Sequence, residues 1–176
     1  MAGKQFDVGA LLQRESLALR ALYVLYYGSG ATWLSFFNIY LQQIGMSGAL
    51  IGLVGGVRPA SMLISQPLWG VLADLWGRRR VLMLTLALGG LGLLGYLTGA
   101  SLPLVLLWTI VFAAGSSPIG SLIDSLVLDH LGRQRGQTFG ALRMWGAVGW
   151  MAMALVTGYA VAGRDLRLVF VLAGFL

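Results

Sequence analysis

The chain has 176 residues, 58% of them hydrophobic and 10% charged, with a formal net charge of +6. A soluble domain carries about 25% charged residues, and a core of this size cannot absorb so much apolar surface, so lipid is the solvent for most of the chain. Cysteine is absent, which excludes disulfides and thiolate chemistry, and the basic residues cluster between apolar runs as topology signals do, an arrangement that argues against a nucleic-acid partner.

Residues 1 to 20 mix Lys4, Asp7, Arg14, Glu15 and Arg20. That is unlike a secretory signal, and Gln5 to Arg20 reads as a short amphipathic lead-in at the membrane surface. A crossing needs about 20 apolar residues. No residue is charged between Arg20 and Arg58, and the polar break at 42–48 divides that run. The first helix is therefore expected near 20–42 and the second near 49–73. Val81 to Ile123 is again free of charge, and residues 99–103 divide it, with Pro103 suited to a helix's first turn. Helices three and four are expected near 80–98 and 103–128. Met144 to Gly163 supplies a fifth, near 140–163, and a sixth starts near 166.

Leu168 to Leu176 spans roughly 13 Å of helix, less than half a bilayer. Its last carbonyls would be unsatisfied in lipid, so the expectation is five complete spans, a truncated sixth, and a chain that is part of a longer protein. Orientation follows from Lys and Arg. The N-terminal tail, the 74–80 loop and the 129–143 segment carry three each, nine in all, against two in the 163–167 connection. This places the N-terminus in the cytoplasm.

Charges inside the bilayer are costly and point to function by default. Arg58 lies in the second span beside Pro59, with Pro67 further along. It either lines a cavity or snorkels outward. In the fourth span Ser117, Ser121, Asp124 and Ser125 recur at helical spacing, with Pro118 as a kink, and such a stripe is expected to face a water-filled cavity. Asp129 and His130 read as solvated beyond it. In the fifth span Arg143, Gly146 and Trp150 share one face. Guanidinium donors and an indole face suit a polar solute; the alternative for Arg143 is a headgroup anchor. The first span has an aromatic stripe, Tyr26, Trp33, Phe37 and Tyr40, with Asn38 near its outer end. Such stripes serve packing or ligand contact.

Gly70, Asp74, Gly77, Arg78 and Arg79 fit the pattern G-x-x-x-D-x-x-G-R-R between the second and third spans. This resembles the signature loop of the major facilitator superfamily, although Leu75 stands where that family has a basic residue. By that resemblance the loop is a gate, in which Asp74 latches the cytoplasmic side. Together with "FGALRMWGAVGW" (139–150) it is similar to the lactose-permease branch of oligosaccharide:proton symporters and its nucleoside and phenylpropionate relatives. The resemblance implies that Arg143 pairs with Asp124 and binds substrate hydroxyls, while Trp150 stacks on the solute; Trp33 and Asn38 are the further candidate contacts. It also implies a proton as coupling ion, with the proton-coupling residues in a C-terminal six-helix half.

The reading is thus an all-α, polytopic membrane helix bundle, half of a major-facilitator fold, in the plasma membrane. It is a secondary transporter of a small polar solute (sugar, nucleoside or aromatic acid) and not an enzyme, with no cofactor or metal. The alternatives are efflux of apolar compounds and a non-transporting fragment or half-size subunit.

Overall fold

The computed structural model describes residues 8–132, 138–161 and 166–175. Gln5 to Asp7, Arg133, and the expected ends of the fifth and sixth spans at Gly163 and Leu176 lie outside these. The helices are α1 (Val8–Gln43), α2 (Gly48–Trp76), α3 (Arg78–Gly95, extended by a 3-10 turn Tyr96–Thr98), α4 (Leu102–Ser116), α5 (Ile119–Leu131), α6 (Phe139–Val161) and α7 (Leu168–Phe175). Since α4 and α5 are two parts of one broken rod, the described residues form six rods. Four of them, Gly48–Trp76, Arg78–Thr98, Leu102–Leu131 and Phe139–Val161, are long and apolar enough to cross a membrane.

This corrects the expected count of five full spans and a partial sixth. The longest helix, α1, is not among those four, because Ser29, Thr32, Ser35 and Asn38 dilute its apolar character. Its described part runs from Val8, so the lead-in from Val8 onward and the expected first span form one helix of about 54 Å, and the lead-in is not a separate surface element.

Local chemistry explains where the rods end. Gly45 has φ +85°, and the Met46 N–H returns to the Leu41 carbonyl at 3.0 Å, a left-handed cap on α1. Gly77, at φ +89°, makes the turn from α2 to α3, a conformation that costs glycine nothing. A Cβ on Gly70, by contrast, would meet nothing within 4 Å, so no close helix approach depends on it in this bundle. Pro118 separates α4 from α5. It has no N–H to offer the Ala114 carbonyl four residues back, and the Trp69 indole N–H from α2 donates to that carbonyl instead, at 2.7 Å. One proline thus makes both the break and the acceptor that ties α2 to α4.

Glycines set the closest packing. A Cβ on Gly149 of α6 would collide with the Val24 carbonyl oxygen of α1 and lie 2.6 Å from the Val24 Cα; one on Gly146 would be 2.8 Å from the Tyr27 ring. A Cβ on Gly92 would lie 2.6 Å from the Phe112 backbone and one on Gly115 2.6 Å from the Gly89 backbone, so these glycines let α3 approach α4. Small residues let membrane helices gain dispersion contact that lipid cannot outcompete. Around these seams lie two cores. One gathers Trp33, Phe37, Tyr40, Tyr96, Phe112 and Phe170; the other gathers Tyr23, Val81, Ile123, Val127 and Leu142.

Gly149→Ala should lower stability by about 1–3 kcal/mol, the usual cost of overpacking. Gly158→Ala, where a Cβ meets nothing within 4 Å, should be neutral or slightly stabilising. Melting temperatures in detergent check the pair, and equal shifts would show that the α1–α6 seam is not tight.

Candidate functional site

Three helices converge on Asp124. The Tyr23 hydroxyl of α1 donates to its Oδ1 at 2.6 Å, and Arg143 Nη1 of α6 donates to its Oδ2 at 3.3 Å. The Arg143 guanidinium also lies 5.6 Å from the Phe139 ring centroid. The side chains of Arg143 and Asp124 are 52% and 26% exposed, so the pair is open on one side. Tyr23 itself is 1% exposed. It therefore forms a fixed floor beneath a carboxylate whose other oxygen faces the open arginine. Sequence reasoning missed Tyr23, whose one trace was its position three residues before Tyr26 on the aromatic stripe.

The serines of the stripe are absent from the lining of the cavity between these helices. Ser117 Oγ shares a hydrogen bond with Ser65 Oγ at 3.0 Å, joining α4 to α2, and Ser121 bonds back to the Pro118 carbonyl at 2.9 Å. Of the serines on this broken rod, Ser116, one residue to the side, lines that cavity.

That cavity, about 410 Å³, is lined by residues of all seven helices, α5 contributing only Ile119. Trp33, Trp150, Phe112, Tyr26, Arg58 and Ser116 are among its lining residues. Arg58 points inward: its guanidinium carbon is 4.8 Å from the Trp33 ring centroid and 5.8 Å from that of Phe112. Outward snorkelling is thereby replaced by an arginine among aromatic rings. Asp124 and Arg143 do not line this space. Trp150 stands about 10 Å further along α6 than Arg143, with its indole edge over Gly30 of α1, where a Cβ would be 3.3 Å away. Phe37 and Tyr40 are spent on packing, edge-on to Tyr96 and Phe170 at 5.3 and 4.7 Å. Asn38 is exposed and is not part of the lining.

At the charge-rich end, Arg78 Nη1 pairs with Asp129 Oδ2 at 2.6 Å, tying the start of α3 to the end of α5. Asp74, Arg79 and Arg80 are exposed. Among the described residues Asp74 has no ion-pair or hydrogen-bond partner, so the pair seen in the loop is not the one expected of it. Three arginines at a helix N-terminus oppose the helix macrodipole, so they do not serve to stabilise α3. His130, expected to be solvated, is 4% exposed, because it turns into the bundle at the end of α5.

The model of the family described as "MFS_1 like family" matches residues 16–176. The chain belongs to this family of major facilitator superfamily transporters. It is 33% identical over 160 residues to the maltose permease of Geobacillus stearothermophilus, an alignment covering 89% of this chain and 40% of the permease. It is 29% identical over 164 residues to the putative niacin/nicotinamide transporter NiaP of Bacillus subtilis (strain 168), covering 90% and 40%. With the MFS-type efflux transporter ffsH of Aspergillus flavipes it shares 32% over 145 residues, covering 78% and 25%. The chain thus spans about two fifths or less of the length of these relatives. The superfamily membership makes it a multi-pass membrane protein, and the relatives' names refer to different solutes.

In this major facilitator chain, Tyr23→Phe removes a hydrogen bond to a charged acceptor and should cost about 1.5–3 kcal/mol. Arg143→Ala should cost less, about 0.2–1 kcal/mol, because the pair is too open for the penalty of a stranded buried charge. Thermal melts rank the two, and a larger loss for Arg143→Ala would contradict this assignment.

Proposed function

We propose that the chain forms the N-terminal bundle of a secondary transporter for a small polar solute, working by alternating access against a second six-helix bundle. The observation that carries this is the meeting of Tyr23, Asp124 and Arg143 from three helices at an open ion pair. A carboxylate and a guanidinium facing each other offer acceptors and donors to one solute, and Trp150, two turns along α6, offers an aromatic face. A rigid tyrosine beneath the carboxylate fixes its orientation before the solute arrives, which lowers the ordering cost of binding. Proton coupling is part of the proposal, resting on the resemblance to the symporter branch. So are the plasma membrane and a cytoplasmic N-terminus, which rest on the distribution of arginines and lysines.

The loop from Gly70 to Arg79 would gate the cytoplasmic side. Arg78 is held by Asp129 within this bundle, while Asp74 stands exposed, available to groups of the opposing bundle. A second reading, efflux of apolar compounds, draws support from the largely apolar cavity wall and from the relative named as an efflux transporter. Arg58 in that wall argues against it, since a cavity for neutral apolar cargo gains nothing from a half-buried cation.

The test uses proteoliposomes carrying this bundle joined to its second half, with a panel of sugars, nucleosides and aromatic acids. One of these classes should give saturable counterflow. Arg143→Ala and Asp124→Ala should abolish it, Trp150→Ala should lose most of the affinity, and Trp150→Phe only part. The 176-residue chain alone should bind without counterflow, because it has nothing to rock against. Normal counterflow in Arg143→Ala would remove the site from the mechanism.

A further inference from the structure

The cavity beside α2 has an unbalanced charge. Arg58 lines it, and among the described residues no carboxylate does. The Nε atom of Arg58 is buried without a hydrogen-bond partner, and so is the hydroxyl of Ser116, a residue only 8% exposed that lines the same space. Two unsatisfied polar atoms at one apolar cavity are unusual, because burying such groups is unfavourable unless something bonds them. Trp33 and Phe112 lie against the guanidinium, and ring faces attract a cation without accepting its N–H groups as a carboxylate does.

We infer that this cavity binds the carboxylate of a small monoanion with an apolar body, through Arg58 with Ser116 as a neighbouring donor. This rests on the solute-transport reading and narrows it to one substrate class. A carboxylate supplies both the missing countercharge and a pair of oxygens matched to the guanidinium fork. The remainder of the wall suits an apolar or aromatic body, with Trp33, Phe112 and Trp150 as its aromatic surfaces. A sugar fits less well. Each of its hydroxyls needs a partner once removed from water, and the Ser29 hydroxyl in this wall is already committed to the Ala173 carbonyl at 2.7 Å. The cavity's size, about 410 Å³, is within the range of small-molecule sites.

Isothermal titration of the purified chain in phosphatidylcholine nanodiscs tests this, with benzoate as the anionic probe and benzamide as its neutral counterpart. Benzoate should bind at least tenfold more tightly than benzamide. Arg58→Gln should weaken benzoate tenfold or more and leave benzamide unchanged, the latter showing that the cavity is still folded. Arg58→Lys should recover part of the loss, and Ser116→Ala should weaken benzoate a few-fold. Adding phosphatidylglycerol to the disc should not compete; competition would assign Arg58 to lipid headgroups and overturn the inference. Equal affinity for benzoate and benzamide, or unchanged benzoate affinity in Arg58→Gln, would overturn it while leaving a neutral-solute transporter in place. Failure of every solute, charged or neutral, to bind would overturn both this inference and the transport reading beneath it.

Discussion

The seam between α1 and α6 determines where the functional side chains fall. Gly149 brings the α6 backbone against Val24 of α1, Gly146 makes room for the Tyr27 ring, and Gly28 does the same for Met153. In water a helix pair is driven together by apolar burial. In lipid that drive is missing, so contact distance and backbone fit must supply the attraction. With the two helices locked, Tyr23 reaches toward Asp124, while Trp33 and Trp150 both line one cavity. Moving α6 outward by the width of a methyl group would alter both.

The polar chemistry occupies two levels. The Tyr23–Asp124–Arg143 cluster is open, so its charges can exchange partners at modest cost. At the Arg58 level the half-buried guanidinium lies against the Trp33 and Phe112 rings, where a charge has fewer alternatives than at the open pair. An open ion pair and a half-buried single cation suit different parts of one solute path. The Arg78–Asp129 pair at the charge-rich end holds α3 to α5 there without reaching either level.

Much of the architecture is legible in the sequence. Charge-free runs divided by short polar breaks mark the rods, and residues 70–79 and 139–150 carry the family resemblance that the family match now supports. Pro118 marks the broken rod because its missing N–H is a local, covalent fact. Rotation of each helix about its own axis is much harder to read. Where lipid and core are both apolar, periodicity gives little guidance to which face turns inward. That is why Asn38 reads as a solute contact yet stands outside the cavity lining, and why Ser117 and Ser121 read as cavity-facing when Ser116 holds that position. Gly146 shares a helical face with Arg143 and Trp150 by spacing, yet its role in the bundle is to admit Tyr27. Tyr23 escapes notice for a related reason: a tyrosine in an apolar run has no local feature that distinguishes a packing ring from a hydroxyl donor.

The α1–α6 seam can be measured directly, since the native chain has no cysteine. Thr32 and Thr157 face each other across it, both fully buried, with hydroxyl oxygens 3.2 Å apart. A double variant, Thr32→Cys with Thr157→Cys, should form an intramolecular disulfide in high yield when mildly oxidised in membranes, since the side chains already lie near bonding geometry. A control pairing Thr32→Cys with Tyr159→Cys, whose native tyrosine is 91% exposed, should not. Cross-linking of the first pair no better than of the control would contradict the seam, and with it the placement of both the ion-pair cluster and the cavity.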